Sequence, residues 1–573
     1  MACARNRWMA LGAACAIALS ALAAATSDNQ DRAANRAFSS LTEPPLMALR
    51  VESPMALSAA LDQTRLGQHV RSSPLLSAMA DSYGAGLRLA GAFLADLPAA
   101  TVKRLMGREA ALVVFPREGE PGAGPAIAFV LHLGDDAQLV KDALNNVVIP
   151  RLTASPELTV QDVEDPAGQT LRFRKGANSF DVRLAGDLLV MGAERAARKF
   201  STSPGERAWT QLAEPEGLST FYLDLRPIWA NALSRGQQPA RRLTASGLPG
   251  LTSLWGVTRV LDGGFKDTLL ARFDKEKGGL LGAAAALRTR PSACASVVPQ
   301  DHGLLVSLSI ESGERLFGLL EEAVRSSQGE QGVQRLRAAM DQVDRLFAIN
   351  MELEVLPAIG QEVFVAARVP DADALASQGG PTREDWATLF GFAVKDEEAF
   401  RGLVERFAAS PQARQMGWWL VTEGYEGRQI HTLTNMAGPA GFSFALLNGY
   451  CVISRDVEAV RDAIRQVIAG KTVGASAQYR DVARHLPAEA NAYAYVDTRP
   501  LREAAFAVLA QRVPAQGKAY VPLLQATVPE LGGYGAALVG EPTQLRLEAY
   551  GDAPLAYVFF GAASARIAVQ SYR

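Results

Sequence analysis

His69, His132, His302, His431 and His485 are all the imidazoles the chain has for metal ligation or general-base work near neutral pH. No two of them stand at metal-ligand spacing, and neither His-Glu-x-x-His nor Cys-x-x-Cys occurs. A zinc site would have to be assembled from scattered residues, so no metal and no cofactor is expected. Gly-x-Ser-x-Gly and Ser-x-x-Lys, which set up nucleophilic serines, are also missing. A triad is defined by geometry and not by spacing, which leaves room for an Asp, Glu or Ser site gathered from separate loops. Gly470-Lys471-Thr472 imitates the end of a phosphate-binding loop. The position of that loop's first glycine is held by Arg465, however, and the segment follows a helical pattern where a true loop follows a strand. It is expected to be a helix C-terminus closed by glycine.

The most distinctive polar motif occurs twice, as Asp224-Leu225-Arg226-Pro227 and as Asp497-Thr498-Arg499-Pro500. A structural corner accounts for it: Pro227 and Pro500 suit a first helical turn, Asp224 and Asp497 can cap that turn, and the arginine can pair with a nearby carboxylate. The functional reading gives Arg226 or Arg499 an anionic ligand, held by the fork of the guanidinium. Trp418-Trp419 and Phe221-Tyr222 are accompanied by no basic stretch and fit core or hairpin packing better than a nucleic-acid platform.

These residues need elements to position them. With 573 residues, 48% hydrophobic and 21% charged, the chain has the make-up of a folded protein of two or more domains. Arg5 and Arg7 precede an apolar run from Trp8 to Ala25, which ends abruptly in polar residues. This pattern predicts a secretory signal peptide over residues 1–25, with Ala23-Ala24-Ala25 at the cleavage site. An uncleaved anchor helix is the alternative, since the run approaches the length of a membrane span. Removing residues 1–25 takes the 58 basic residues to 56 against 60 acidic ones, a net charge of −4, which offers no attraction to nucleic acid or an anionic membrane. Cys3 and Cys15 leave with that segment. Cys294 and Cys451 alone are no disulfide framework, although a bond between them is chemically permitted outside the cytoplasm.

Self-similarity organises the rest. Leu49-Arg50-Val51-Glu52-Ser53 returns as Leu308-Ser309-Ile310-Glu311-Ser312, and Met106-Gly107-Arg108-Glu109 as Ile359-Gly360-Gln361-Glu362. The step ending in Asp135 returns with Asp396, and Phe180 to Met191 returns as Phe442 to Ile453. The Tyr-x-Asp-x-Arg-Pro motif follows, and finally Trp255-Gly256 matches Tyr534-Gly535. Landmarks kept in one order predict two tandem copies, at 45–275 and 303–573. Residues 26–44 are then a disordered leader and residues 276–302 a linker. Alternating strands such as Phe180-Asp181-Val182-Arg183-Leu184, mixed with helical patterns opened by Asp135 or Asp396, predict an α+β unit. Each copy is expected to be a largely antiparallel sheet with helices on one face.

The tandem arrangement, the strand-Asp-helix step, the Asn448-Gly449 hairpin and the repeated corner resemble the secreted bacterial proteins grouped as domain of unknown function 3352. That resemblance implies an envelope or extracytoplasmic location, periplasmic or extracellular, and supplies no catalytic residues. Two functions then compete. One is a non-catalytic binding or scaffold protein with an envelope partner or ligand, no nucleic acid, and no membrane span once the signal is removed. The other is an extracytoplasmic hydrolase with a site in one repeat. An exposed apolar patch or cleft favours the first, and a one-copy pocket with paired carboxylates or Ser with His favours the second.

Overall fold

The computed structural model describes chiefly residues 36–65, 97–115, 126–153, 159–163, 169–175, 178–201, 217–234, 246–274, 285–370, 386–435, 438–512, 532–541 and 544–554. The expected signal peptide, His69 and Arg241-Arg242 lie outside the described residues. The described residues form two compact units. One gathers residues up to Ile228 with Ser253–Leu269, the other Trp229–Thr252 with Leu270–Asp552.

The first unit is built on β1 (Met47–Val51), β2 (Ala110–Phe115), β3 (Ala126–His132), β4 (Thr159–Val163), β5 (Gln169–Lys175), β6 (Asn178–Ala185), β7 (Leu188–Gly192), β8 (Ser219–Asp224) and the hairpin β9 (Leu251–Leu261) and β10 (Gly264–Phe273). Antiparallel pairing gives the order β4-β5-β6-β7-β3-β2-β1-β8-β9-β10. The β9–β10 turn is Asp262-Gly263, with φ of 50° and 79°, the left-handed pair that matches strand twist.

The second unit follows with β11 (Leu304–Ser309), β12 (Ile359–Ala367), β13 (Thr388–Val394), β14 (Trp418–Tyr425), β15 (Arg428–Asn435), β16 (Gly438–Leu447), β17 (Tyr450–Ser454), β18 (Ala492–Asp497), β19 (Gly533–Gly540) and β20 (Gln544–Gly551). Its order is β14-β15-β16-β17-β13-β12-β11-β18-β19-β20, again antiparallel throughout. Asn448-Gly449 turns β16 into β17 with φ of 47° and 82°. The architecture is α+β with an antiparallel sheet.

Helices cover both faces of the second sheet, not one. Val452 and Phe364 pack with Val460 and Ile464 of the helix Val457–Ile468. Their strand neighbours Cys451 and Val363 point the other way: Cys451 packs against Phe400 and Leu403 of the helix Glu397–Ala409, and Val363 against Leu316 and Leu319 of the helix Gly313–Gln328. Strands such as Phe442 to Leu447 carry apolar residues on both sides, so a cover on one face alone would leave the other wet.

Parts of the expected leader and of the expected linker are packed. Residues 36–39 form a helical turn, and Phe38 and Leu41 are fully buried, Phe38 edge-on to Trp255 at 5.9 Å. In the expected linker, Cys294–Ser296 is a 3-10 turn, and Val297, Val298 and His302 are buried in the second unit. Both segments lie just ahead of the first strand of a unit, and low apolar density over a few residues hides a turn that tertiary contacts hold.

The ladders also correct the register of two landmarks. Ala48 faces Tyr222 and Leu305 faces Tyr495, which puts Ser307, and not Ser309, in the place of Arg50. Tyr222 faces Trp255 while Tyr495 faces Gly535, so Trp255 matches Gly535 and not Tyr534. The first shift is two residues and keeps the side chain on its face, whereas the second is one residue and moves it to the opposite face.

Candidate functional site

The strongest concentration of buried polar chemistry surrounds Glu362, at the fourth position of β12. Its Oε1 accepts from the Ser292 hydroxyl at 2.5 Å. Its Oε2 accepts from the Tyr450 hydroxyl at 2.5 Å and from the backbone N–H groups of Ala293 and Cys294 at 3.0 and 3.1 Å. Ser292 also contacts the Ser307 hydroxyl at 3.0 Å. The turn before β11 supplies two of these donors, β17 a third and Ser292 the fourth, so the carboxylate ties three stretches of chain together.

Electrostatics keep this cluster quiet. Burial pushes the Cys294 thiol well above its usual range, and the neighbouring Glu362 charge pushes it further. Burial also raises the Tyr450 phenol, reinforced by its hydrogen bond to Glu362, so it stays a proton donor. A buried, neutral thiol is a poor nucleophile. The Glu362 carboxylate is held in place by four donors, among them the Ser292 hydroxyl.

The first unit places a carboxylate at the matching position. Glu109, immediately before β2, is fully buried and accepts on Oε1 from the Arg50 guanidinium and the Ala37 N–H, both at 3.0 Å. The turn that donates is again the one ahead of the first strand. Sequence reasoning noted Gly107-Arg108-Glu109 and Gly360-Gln361-Glu362 as landmarks but missed their role. The available signal was one charged residue kept at the start of an apolar strand in both places.

The two corners share one geometry. The Arg226 N–H donates to Asp224 Oδ1 at 3.0 Å, and its guanidinium grips the same carboxylate at 2.9 and 2.7 Å. Arg499 repeats this on Asp497 with 3.1, 3.2 and 3.1 Å and also donates to Gln478. Pro227 and Pro500 stand in the first turns of the helices Arg226–Leu233 and Thr498–Arg512. Each guanidinium fork is thus occupied by its own corner's carboxylate.

The helix-opening aspartates differ. Asp396 Oδ1 accepts from the N–H groups of Glu398 and Ala399, as a cap should. Asp135 lies exposed in the 3-10 turn Gly134–Asp136 and makes no such cap, while its neighbour Asp136 pairs with Arg104 at 2.6 Å. This departs from the expectation, because the tighter turn carries the Asp135 side chain away from the free amides.

The described histidines are dispersed. His132 Nε2 meets Asp187 at 2.9 Å, His302 Nδ1 meets Asp301 at 3.1 Å, His431 Nδ1 meets the Thr422 hydroxyl at 2.9 Å, and His485 stacks on Tyr550. Among the described residues no group of three His, Cys, Asp or Glu is placed to hold a metal. Gly470, with φ of 68°, closes the helix Val457–Ile468, so Gly470-Lys471-Thr472 is a helix end and not a phosphate loop. Cys294 and Cys451 are free thiols facing opposite sides of the sheet, which stands between them. No described helix is long and apolar enough to cross a membrane.

A different feature lies on the uncovered part of the second sheet. Val306 pairs with Val365, Val365 with Phe390 and Phe390 with Ile453, so one apolar row crosses four strands on one face. Val306, Val365 and Phe390 remain 55%, 42% and 52% exposed. At the matching place in the first unit Leu49 is buried, and Leu112 and Phe129 are at most half-exposed.

A family model described as "Protein of unknown function (DUF3352)" matches residues 280–569. No curated protein matches the chain. A solved structure titled "Structure of crystal form III of TP0453" aligns with 8% identity and a TM-score of 0.23, over 45% of this chain and 90% of that one. A likeness of that size carries no argument.

Proposed function

We propose, from the premise that the chain belongs to the family of proteins of unknown function DUF3352, that it is an exported, non-catalytic binding or scaffold protein of the cell envelope built from two tandem copies of one α+β unit. The carrying observation is the exposed row Val306, Val365 and Phe390. Folded proteins rarely leave large apolar side chains contiguous in water unless a partner or ligand covers them. The duplication is supported by the matching strand orders, the paired corners and the pre-strand turns that cap Glu109 and Glu362. Export is supported by Arg5, Arg7 and the apolar run ending at Ala23-Ala24-Ala25. The hydrolase alternative rests on the contact of Ser292 with Glu362, in a buried cluster whose thiol and phenol stay protonated.

The test is to replace Val365 and Phe390 together by lysine and measure binding of the apolar fluorophore 8-anilinonaphthalene-1-sulfonate to the folded protein. Loss of more than half of the bound signal, at a melting temperature within a few degrees of the parent, is the expected outcome. Undiminished fluorophore binding would show that the row is not the accessible apolar surface and would remove the basis of the proposal.

A further inference from the structure

The outer strand β14 of the second unit has a shape and composition that call for a specific neighbour. It pairs along all eight residues with β15, without a bulge, and no described residue pairs with its other edge. Unpaired amide and carbonyl groups along a straight edge are a template for another strand, and proteins usually blunt such edges with lysine, proline, a bulge or shortness. The run Met416-Gly417-Trp418-Trp419-Leu420-Val421-Thr422 has none of these and carries no charge. The outermost strand of the first unit, β4, is five residues long and reads Thr-Val-Gln-Asp-Val.

The two faces of β14 behave differently. Trp418 packs edge-on to Phe347 at 6.4 Å, and Leu420 packs against Phe400 and Leu403, so this face is fixed from beneath by helices. On the opposite face Glu423 is tied to Arg461 at 2.7 Å, while Trp419 and Val421 stay 46% and 54% exposed. The strand is therefore anchored on one face, while on the other Trp419 and Val421 stand exposed and no described residue pairs with its outer edge.

We propose that β14 is a self-association edge, joining antiparallel to β14 of a second copy of this chain about a two-fold axis at Leu420. Pattern symmetry commits the site to a second copy. With the axis at Leu420, Trp419 of each copy lies directly opposite Val421 of the other, on the open face. Two exposed apolar residues thus cover each other twice, and the only charge within the paired run, Glu423, falls opposite Gly417. Directly opposed side chains in antiparallel strands come within about 5 Å, close enough for these pairs to pack. A two-fold interface of this kind is closed, so it yields a dimer and not a fibre. One strand edge with two such pairs buries on the order of 1,000 Å² in total, the low end for specific interfaces, so the association is of the weak, concentration-dependent kind.

The experiment uses sedimentation velocity on the full mature chain and on Trp419→Lys and Val421→Glu variants. The parent is expected to show concentration-dependent dimers, and each variant alone to dissociate at least tenfold more readily. An equimolar mixture of the two should recover the dimer, because Lys at 419 then meets Glu at 421 across one pair while Trp419 meets Val421 across the other. Melting temperatures within a few degrees of the parent check that both variants are folded. A parent that is monomeric at every concentration, variants that dimerise like the parent, or a mixture that fails to recover would each overturn the proposal. Dimerisation unaffected by the separate Val365 and Phe390 substitutions keeps this result distinct from the fate of the apolar row.

Discussion

At matching positions the two units solve one problem with different chemistry. The first unit buries ions: Glu109 lies against Arg50, Arg172 grips Asp181 at two points of 2.9 Å, and Arg183 donates to the carbonyls of Ala197 and Phe200. The second keeps the carboxylate, as Glu362, but sets neutral groups at the other positions. Ser307 replaces Arg50, the Thr432 and Ser443 hydroxyls meet at 2.9 Å in place of Arg172 and Asp181, and Ala445 replaces Arg183. The strand order is the same in both, so these buried positions accept a charged or a neutral partner on one framework. A buried ion pair gives little net stability over a well-packed neutral replacement, but losing one member of the pair leaves an uncompensated charge. The first unit is therefore the more fragile to single substitutions at these sites.

The largest expected effect tests that fragility directly. Glu109→Gln strands the buried Arg50 guanidinium and should destabilise the first unit by about 3–5 kcal/mol. Glu362→Gln leaves only neutral donors without a charged acceptor and should cost about 1–3 kcal/mol. Hydrogen exchange read separately over the strands of each unit distinguishes the two, and equal losses would break the comparison.

The two corners should respond alike in size. Asp224→Ala and Asp497→Ala should each remove about 1 kcal/mol through the lost cap. Burial by itself would raise the Asp497 pKa, but the Arg499 side chain and N–H outweigh it and hold the carboxyl below its usual value. A carboxylate depressed in the folded state contributes stability that is complete above its unfolded pKa, near 4, and is lost as pH falls through the lower folded value. Chemical denaturation of Asp497→Ala as a function of pH should therefore show a flatter acid limb below about pH 4 than the parent. A deficit unchanged down to the acid transition would separate the corner's stability from its charge.

The smallest contrast concerns helix capping. Asp396→Ala should cost about 1 kcal/mol, because two first-turn amides lose their acceptor. Asp135→Ala should stay within about 0.5 kcal/mol, as an exposed substitution with no cap to lose. Thermal melts of the two variants check the difference, and an Asp135 deficit as large as that of Asp396 would restore the capping role the sequence suggested.

Residue order alone determined the α+β class and the Asn448-Gly449 hairpin. Each of these depends on neighbours a few residues apart, whose periodicity, turn propensity and capping chemistry are local. Tertiary structure decided what depends on distant partners. It turned the expected leader and linker into turns that donate to Glu109 and Glu362, residues 72 and 68 or 69 positions further along. It fixed the register that places Ser307 opposite Phe364, set helices on both faces of the second sheet, and left Val306, Val365 and Phe390 uncovered. Strand register and burial are set by contacts between residues far apart in the chain, which local patterns do not encode.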